Sequence, residues 1–296
     1  MVPHRALAVV VTCLVSASLP SAAHAFCRTR TCSGEGCRPG PDGCATVGAP
    51  VTWATSCVGF AMNPEGIDDV DDKERLSAIV ARSFARWSEV PCPGGGKSSL
   101  RLVPKGNVAC RSAKHTKGGP NVNLVFFKDT DWTYKGVDGT LATTTLTFDD
   151  SGRALDGDIA VNTANNSFSE AAVPAADEYS LELVLTHEVG HFLGLAHSQN
   201  PRAIMYPVTR PGASLRGLDV DDVAAICAAY PPSRRAPCSD EPEGGFSGEC
   251  SDTPGCAQAS SARTRAGEGA ASLALAALGF ALLRLVRRSA AGRRLS

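Results

Sequence analysis

The chain has 296 residues, 43% hydrophobic and 20% charged, which is enough for a folded core and too apolar for wholesale disorder. Its formal charge of −1 hides two basic ends, Arg5 and the five arginines from Arg284 to Arg294, which leave 23 basic against 30 acidic residues, about −7, over 26–283. Nucleic-acid binding through a basic face is thereby excluded.

Residues 1–25 read as a secretory signal, with Arg5, an apolar stretch from Ala6 to Leu19, and an Ala23-His24-Ala25 cleavage site before Phe26. Residues 26–50 are rich in Cys, Gly and Pro and read as a stapled, irregular leader. A domain of ordinary size is expected over 51–230. Its first strand falls in Val51–Met62, and an amphipathic helix at Asp71–Trp87 carries Leu76, Ile79, Val80, Phe84 and Trp87 at helical spacing. Short strands follow at Leu100–Val103, Val122–Phe127, Leu141–Phe148 and Asp158–Asn162. A second helix at Tyr179–Leu193 stops at Gly194, and a third at Asp219–Tyr230 is capped by Asp219 and ended by Pro231-Pro232. The fold class predicted is α+β: a small twisted mixed sheet with three helices.

Residues 231–268 are rich in Pro, Ser, Gly and charge and read as a linker. Residues 269–296 read as an apolar helix followed by an Arg cluster; Ala270–Leu283, extended through Val286, makes a marginal transmembrane span. Its basic flank fits a cytoplasmic end. Gly255-Cys256, the apolar run and the Arg cluster together resemble the sorting tails of myxobacterial surface proteins. That resemblance implies retention at the cell envelope through Cys256.

Of twelve cysteines, Cys13 leaves with the signal and Cys256 belongs to the tail, so ten remain for up to five disulfides in an exported chain. Connectivity does not follow from spacing; Cys92–Cys110 and Cys238–Cys250 stand as candidate local loops. Between Cys27 and Cys44 there is no paired C-x-x-C, which argues against a zinc module there.

The second helix carries His187-Glu188-Val189-Gly190-His191-Phe192-Leu193-Gly194-Leu195-Ala196-His197. Four residues apart on a helix, His187 and His191 leave one face with Cβ atoms about 5–6 Å apart, a span that suits one ion bonded at roughly 2.0–2.1 Å. A glycine at 194 can take the left-handed turn that swings the chain back, so that His197 supplies a third ligand. Glu188 then reaches a water on the ion without ligating it. Three neutral ligands leave the ion its full charge and an open position, which lowers the pKa of bound water towards 7.

This string, with Ile204-Met205-Tyr206-Pro207 beyond it, resembles the metzincin zinc proteases and, among them, the matrixins. Leu218–Val223 with Ile226 and Tyr230, Gly139-Thr140-Leu141-Ala142 and Gly157-Asp158-Ile159 are similar to further matrixin segments. The resemblance implies an exported zinc endopeptidase acting on protein or peptide, with Glu188 as general base. Substrate would lie along the strand beginning at Leu141 and Ala142. Met205 would floor the three imidazoles, and Pro207 and Val208 would line the pocket for the side chain after the scissile bond. Where matrixins commonly carry histidines for a second, structural zinc, this chain has Thr143 and Ala160, so a single zinc is expected. Calcium stays open through Asp149, Asp150, Asp156 and Asp158. Cys37-Arg38-Pro39-Gly40-Pro41-Asp42 is a scrambled echo of the family's cysteine cap. A monomer without nucleic-acid partners is expected. The alternative from another class is a non-catalytic surface or adhesion module with a structural or degenerate zinc site.

Overall fold

Alternating and continuous apolar runs build a sheet, and two amphipathic helices cover one of its faces. The computed structural model describes residues 26–249 except 33–35, 38, 41–42, 131 and 134–139, together with 293–294. The secretory signal, the apolar tail, Cys250, Cys256, Gly139, Arg38, Pro41 and Asp42 lie outside the described residues. In chain order the elements are β1 (Cys27–Arg28), β2 (Thr52–Trp53), β3 (Cys57–Met62), α1 (Lys73–Ser88), β4 (Arg101–Asn107), β5 (Leu124–Lys128), β6 (Ala142–Phe148) and β7 (Arg153–Asn162). There follow β8 (Phe168–Ser169), β9 (Tyr179–Ser180), α2 (Leu181–Phe192), β10 (Leu195–Ala196), β11 (Val208–Thr209) and α3 (Val220–Ala229).

The main sheet has six strands in the order β2-β7-β5-β3-β4, with β6 added to the other side of β7. Every pairing is parallel except β6 with β7, so β6 is an antiparallel edge. The mixed α+β architecture with three helices is thus present. β7 starts at Arg153, five residues before the strand expected there, because Asp156, Gly157 and Asp158 interrupt the apolar pattern without interrupting the ladder.

One face packs against α1 and α2 through Phe84, Trp87, Leu185, Val189, Phe192, Ile159 and Val161. Asp72 caps α1 by accepting from the Glu74 and Arg75 amides. Buried Glu182, in the first turn of α2, receives paired hydrogen bonds from Arg82 and Arg86 of α1, which fixes the two helices against each other. The other face carries Leu124, Phe126 and Ala160 under Cys110, Val122 and Phe246.

Disulfides tie distant segments to this frame. Cys27 pairs with Cys44, Cys32 with Cys37, Cys57 with Cys238 and Cys92 with Cys227. Cys110 is also disulfide-bonded. The candidate loops Cys92–Cys110 and Cys238–Cys250 are therefore incorrect: the partners meet across 135 and 181 residues of sequence, brought together by the fold. The leader is part of the domain, with β1 antiparallel to β10. Beyond α3, the Pro/Ser/Gly-rich chain runs along the sheet to residue 249. Cys238 is stapled to β3, Arg234 donates to the Trp53 carbonyl at 2.6 Å, and Asn121 bridges to Phe246. Among the described residues no helix is long and apolar enough to cross a membrane; the marginal span expected at Ala270–Val286 lies outside them.

Asp156 and Asp158 sit side by side, buried, on the face of β7 away from α2. Asp158 accepts from the Leu124 and Lys114 amides, each at 3.0 Å. Asp149 instead closes its own exposed turn through Ser151 and Arg153, which hold its pKa down at about 2. The four aspartates considered for calcium are thus divided between a surface turn and the interior and do not gather.

Burial pushes both carboxyls up: Asp156 to about 7, against the lowering effect of its hydrogen bond with Asp158, and Asp158, which also feels the Asp156 charge, to about 9. Both folded values exceed the unfolded carboxylate value of about 3.9. The folded state therefore holds extra protons between these limits, and stability falls as pH rises through them, by about 1.4 kcal/mol per pH unit for each extra proton. Melting temperatures measured from pH 6 to 9 are expected to decline in the native chain and to decline less in Asp156→Asn. Equal slopes would contradict the protonated pair.

Candidate metal centre

Helix α2 starts from Ser180, whose hydroxyl accepts from the Leu183 amide. Buried aromatic donors anchor it at its middle and at its far end. Trp87 Nε1 donates to the Thr186 carbonyl and Trp53 Nε1 to the Phe192 carbonyl, each at 2.8 Å. Tyr230, fully buried, donates its hydroxyl to the Leu193 carbonyl at 2.9 Å, and desolvation pushes its pKa up to about 12. Gly194 follows with φ +79° and turns the chain into β10. A Cβ there would stand 2.3 Å from the Val51 carbonyl oxygen, so this turn needs glycine for space as well as conformation.

The turn delivers three imidazoles to one point. His187 Nε2 lies 3.1 Å from His191 Nε2, which lies 3.2 Å from His197 Nε2. His187 Nδ1 donates to the Ile204 carbonyl at 2.7 Å and His191 Nδ1 to the Leu195 carbonyl at 2.9 Å. Because a carbonyl can only accept, each Nδ1 carries the ring proton, and in the neutral ring Nε2 then presents a lone pair. Nitrogens bonded to one tetrahedral ion at about 2.0–2.1 Å stand about 3.3–3.4 Å apart. Converging lone pairs at this spacing, with Nδ1 oriented by backbone carbonyls, are what a zinc ion requires. Among the described residues this trio is the one group of three or more candidate ligating side chains close enough to share an ion.

Glu188 is buried and lies on the side of α2 that faces β6, where the Thr144 hydroxyl stands 2.7 Å from Glu188 Oε2 and 3.0 Å from the Glu188 carbonyl. Met205 is buried under the helix; a Cβ on Gly190 would come within 2.2 Å of Met205 Sδ. Its loop is held by α3. Asp222 accepts from the Ile204 amide at 2.7 Å and the Met205 amide at 3.1 Å, and also from Asp219 in a capping box. Burial raises the Asp222 pKa, an effect its backbone donors oppose. Asp221 accepts from Ser198, next to His197, at 2.6 Å. The string Leu218–Val223 identified the helix in sequence, and its Asp221-Asp222 pair was the available signal for this bracing role.

The remaining expected residues are placed as follows. Leu141 is buried and its carbonyl accepts from Asn162 in β7 at 2.8 Å, so it is turned inward. That bond sets the odd positions of β6 in register with β7 and leaves the peptide groups of Ala142, Thr144 and Leu146 on the open edge. Pro207 is half-buried, and Val208, in β11, is exposed. Cys37 is committed to Cys32, which removes it as a thiolate cap.

Residues 52–231, from β2 through α3, match the matrixin family model. The chain is 40% identical to metalloendoproteinase 1-MMP of Arabidopsis thaliana over 185 residues, 61% of this chain and 45% of that protein. It is 33% identical to the 4-MMP metalloendoproteinase of the same plant over 171 residues, 58% of this chain and 44% of the other. A shorter stretch of 60 residues, 20% of this chain and 13% of the relative, is 45% identical to stromelysin-1 of Rattus norvegicus. The chain thus spans less than half the length of the plant relatives it matches. A family match running from β2 to the helix that braces the Met205 loop, over a histidine trio built for the zinc that matrixins bind, means that this chain belongs to the matrixin family.

Proposed function

We propose that the chain is an exported zinc endopeptidase with one catalytic zinc, held by His187, His191 and His197. The observation that carries this reading is the convergence of three Nε2 atoms at 3.1 and 3.2 Å beside the buried carboxylate of Glu188. When bound, zinc supplies an electrophile for the scissile carbonyl and acidifies water. The chain's own residues do the rest. The open peptide groups of β6 align an extended substrate by main-chain hydrogen bonds. Glu188 takes the proton from the attacking water and returns it to the leaving amine. Met205 supports the ligand cluster from below, and Pro207 and Val208 border the pocket for the side chain after the scissile bond. The adhesion-module alternative is less well supported, because the ligand group ends at three among the described residues and leaves a coordination position for reaction.

Disulfides accord with an oxidising compartment, which supports export through residues 1–25. Retention at the envelope through Cys256 belongs to the same reading and rests on the sequence of the tail. Casein incubated with the purified protein should be cleaved, cleavage should stop on zinc chelation and return when zinc is restored. Cleavage that persists through exhaustive chelation, or none with zinc bound, would contradict the proposal.

A further inference from the structure

Strand β6 has the sequence Ala-Thr-Thr-Thr-Leu-Thr-Phe, and its even positions face α2. Ala142, Leu146 and Phe148 on that face belong to or pack against the apolar core. Thr144 stands among them, where valine would satisfy packing alone. Thr144 is half-buried, and a hydroxyl turned from water onto a helix is costly unless bonded; this one is bonded to Glu188. Its single proton has two acceptors on that residue, carboxylate Oε2 at 2.7 Å and the main-chain oxygen at 3.0 Å. The carboxylate is the nearer, and a hydrogen bond to a charged oxygen is the stronger of the two. The peptide groups of the same threonine lie on the open edge of β6, where the antiparallel register leaves them without a strand partner among the described residues.

We infer that Thr144 is a positioning residue for proton transfer. Its hydroxyl fixes Glu188 through Oε2, so that Oε1 is the oxygen that takes the proton from water and gives it to the leaving amine. Its peptide groups set that anchor in register with the substrate lying on the same strand. A strand residue thus holds substrate with its backbone and the general base with its side chain. The inference rests on the peptidase reading above.

The decisive variants are Thr144→Val, which keeps the shape and removes the hydroxyl, and Thr144→Ser, which restores it. With zinc bound, Thr144→Val should lose roughly 10- to 100-fold in kcat, the size of a hydrogen bond to a charged group, with KM within about twofold. Thr144→Ser should stay within about threefold of the native kcat. Zinc-free protein supplies a readout independent of activity. There, Thr144→Val should lower the urea midpoint of the native chain and leave that of Glu188→Ala unchanged, because the bond is to the carboxylate. Thr144→Ala, which cannot crowd the helix, carries the same comparisons if valine disturbs folding.

An unchanged kcat in Thr144→Val, or an equal loss of midpoint in both backgrounds, overturns the positioning role. The latter would mark the hydroxyl as a tie to the helix backbone only. If Glu188→Ala cleaves as fast as the native chain, the peptidase reading itself fails. Thr144→Val matching the native chain while Glu188→Ala is inactive removes only the role of Thr144.

Discussion

Glu188→Gln is expected to lower kcat for peptide cleavage by roughly 10²- to 10⁴-fold, the contribution of a general base, while the protein still binds one zinc. Glutamine has nearly the shape of the native side chain and can still accept from the Thr144 hydroxyl, so packing between α2 and β6 survives. It cannot accept a proton at neutral pH, and that is the property being removed. The ligands are untouched, because His187 and His191 are oriented by the Ile204 and Leu195 carbonyls and not by the carboxylate. Steady-state kinetics paired with metal analysis on the same preparation separates the two roles. Cleavage at the native rate would exclude Glu188 as base, and loss of zinc along with activity would make its contribution structural.

Gly194→Ala should damage the fold and the metal centre together. At φ +79° a residue with a Cβ costs about 1–3 kcal/mol. The added carbon would also lie 2.3 Å from the Val51 carbonyl oxygen, a backbone atom immediately before β2 that cannot rotate aside as a side chain can. Overpacking of this kind costs about 1–3 kcal/mol more. For a domain of this size the sum corresponds to a fall of roughly 4–24 °C in melting temperature. Because the displaced turn carries the chain from His191 to His197, zinc affinity should fall as well. Gly118→Ala is the matched control, with φ +71° and nothing within 4 Å of an added Cβ. It should show only the smaller, backbone part of the loss and bind zinc normally. If the two variants melt together and bind zinc equally, the Val51 contact does not constrain the turn.

These two sites differ in how far the sequence alone discloses them. The histidine trio is legible because its geometry is local: helical spacing places His187 and His191, and one glycine turn adds His197. The helices are legible for the same reason, since Asp72 and Asp219 sit as caps beside apolar residues at helical spacing. Thr144 is not legible, because its meeting with Glu188 depends on how β6 packs over α2, and the three other threonines of that strand look alike in sequence. Asp222 reads as a helix-start residue, yet it also fixes the Met205 loop through amides 17 and 18 residues earlier in the chain.

Disulfides show the limit most plainly. Closeness in sequence suggested Cys92 with Cys110, whereas α3 brings Cys227 to Cys92. Composition has a similar weakness beyond Tyr230. Pro, Gly and Ser there indicate an irregular backbone, but such a backbone can be stapled to a sheet as readily as left free, and Cys238 and Arg234 attach it.

X-ray absorption at the zinc edge, with stoichiometry measured on the purified folded chain, tests the central claim most directly. One zinc per chain with three imidazole nitrogens at about 2.0–2.1 Å, reduced to two nitrogens or lost in His197→Ala, is the expected result. A folded chain that takes up no stoichiometric zinc, or a first shell unchanged in His197→Ala, would contradict it.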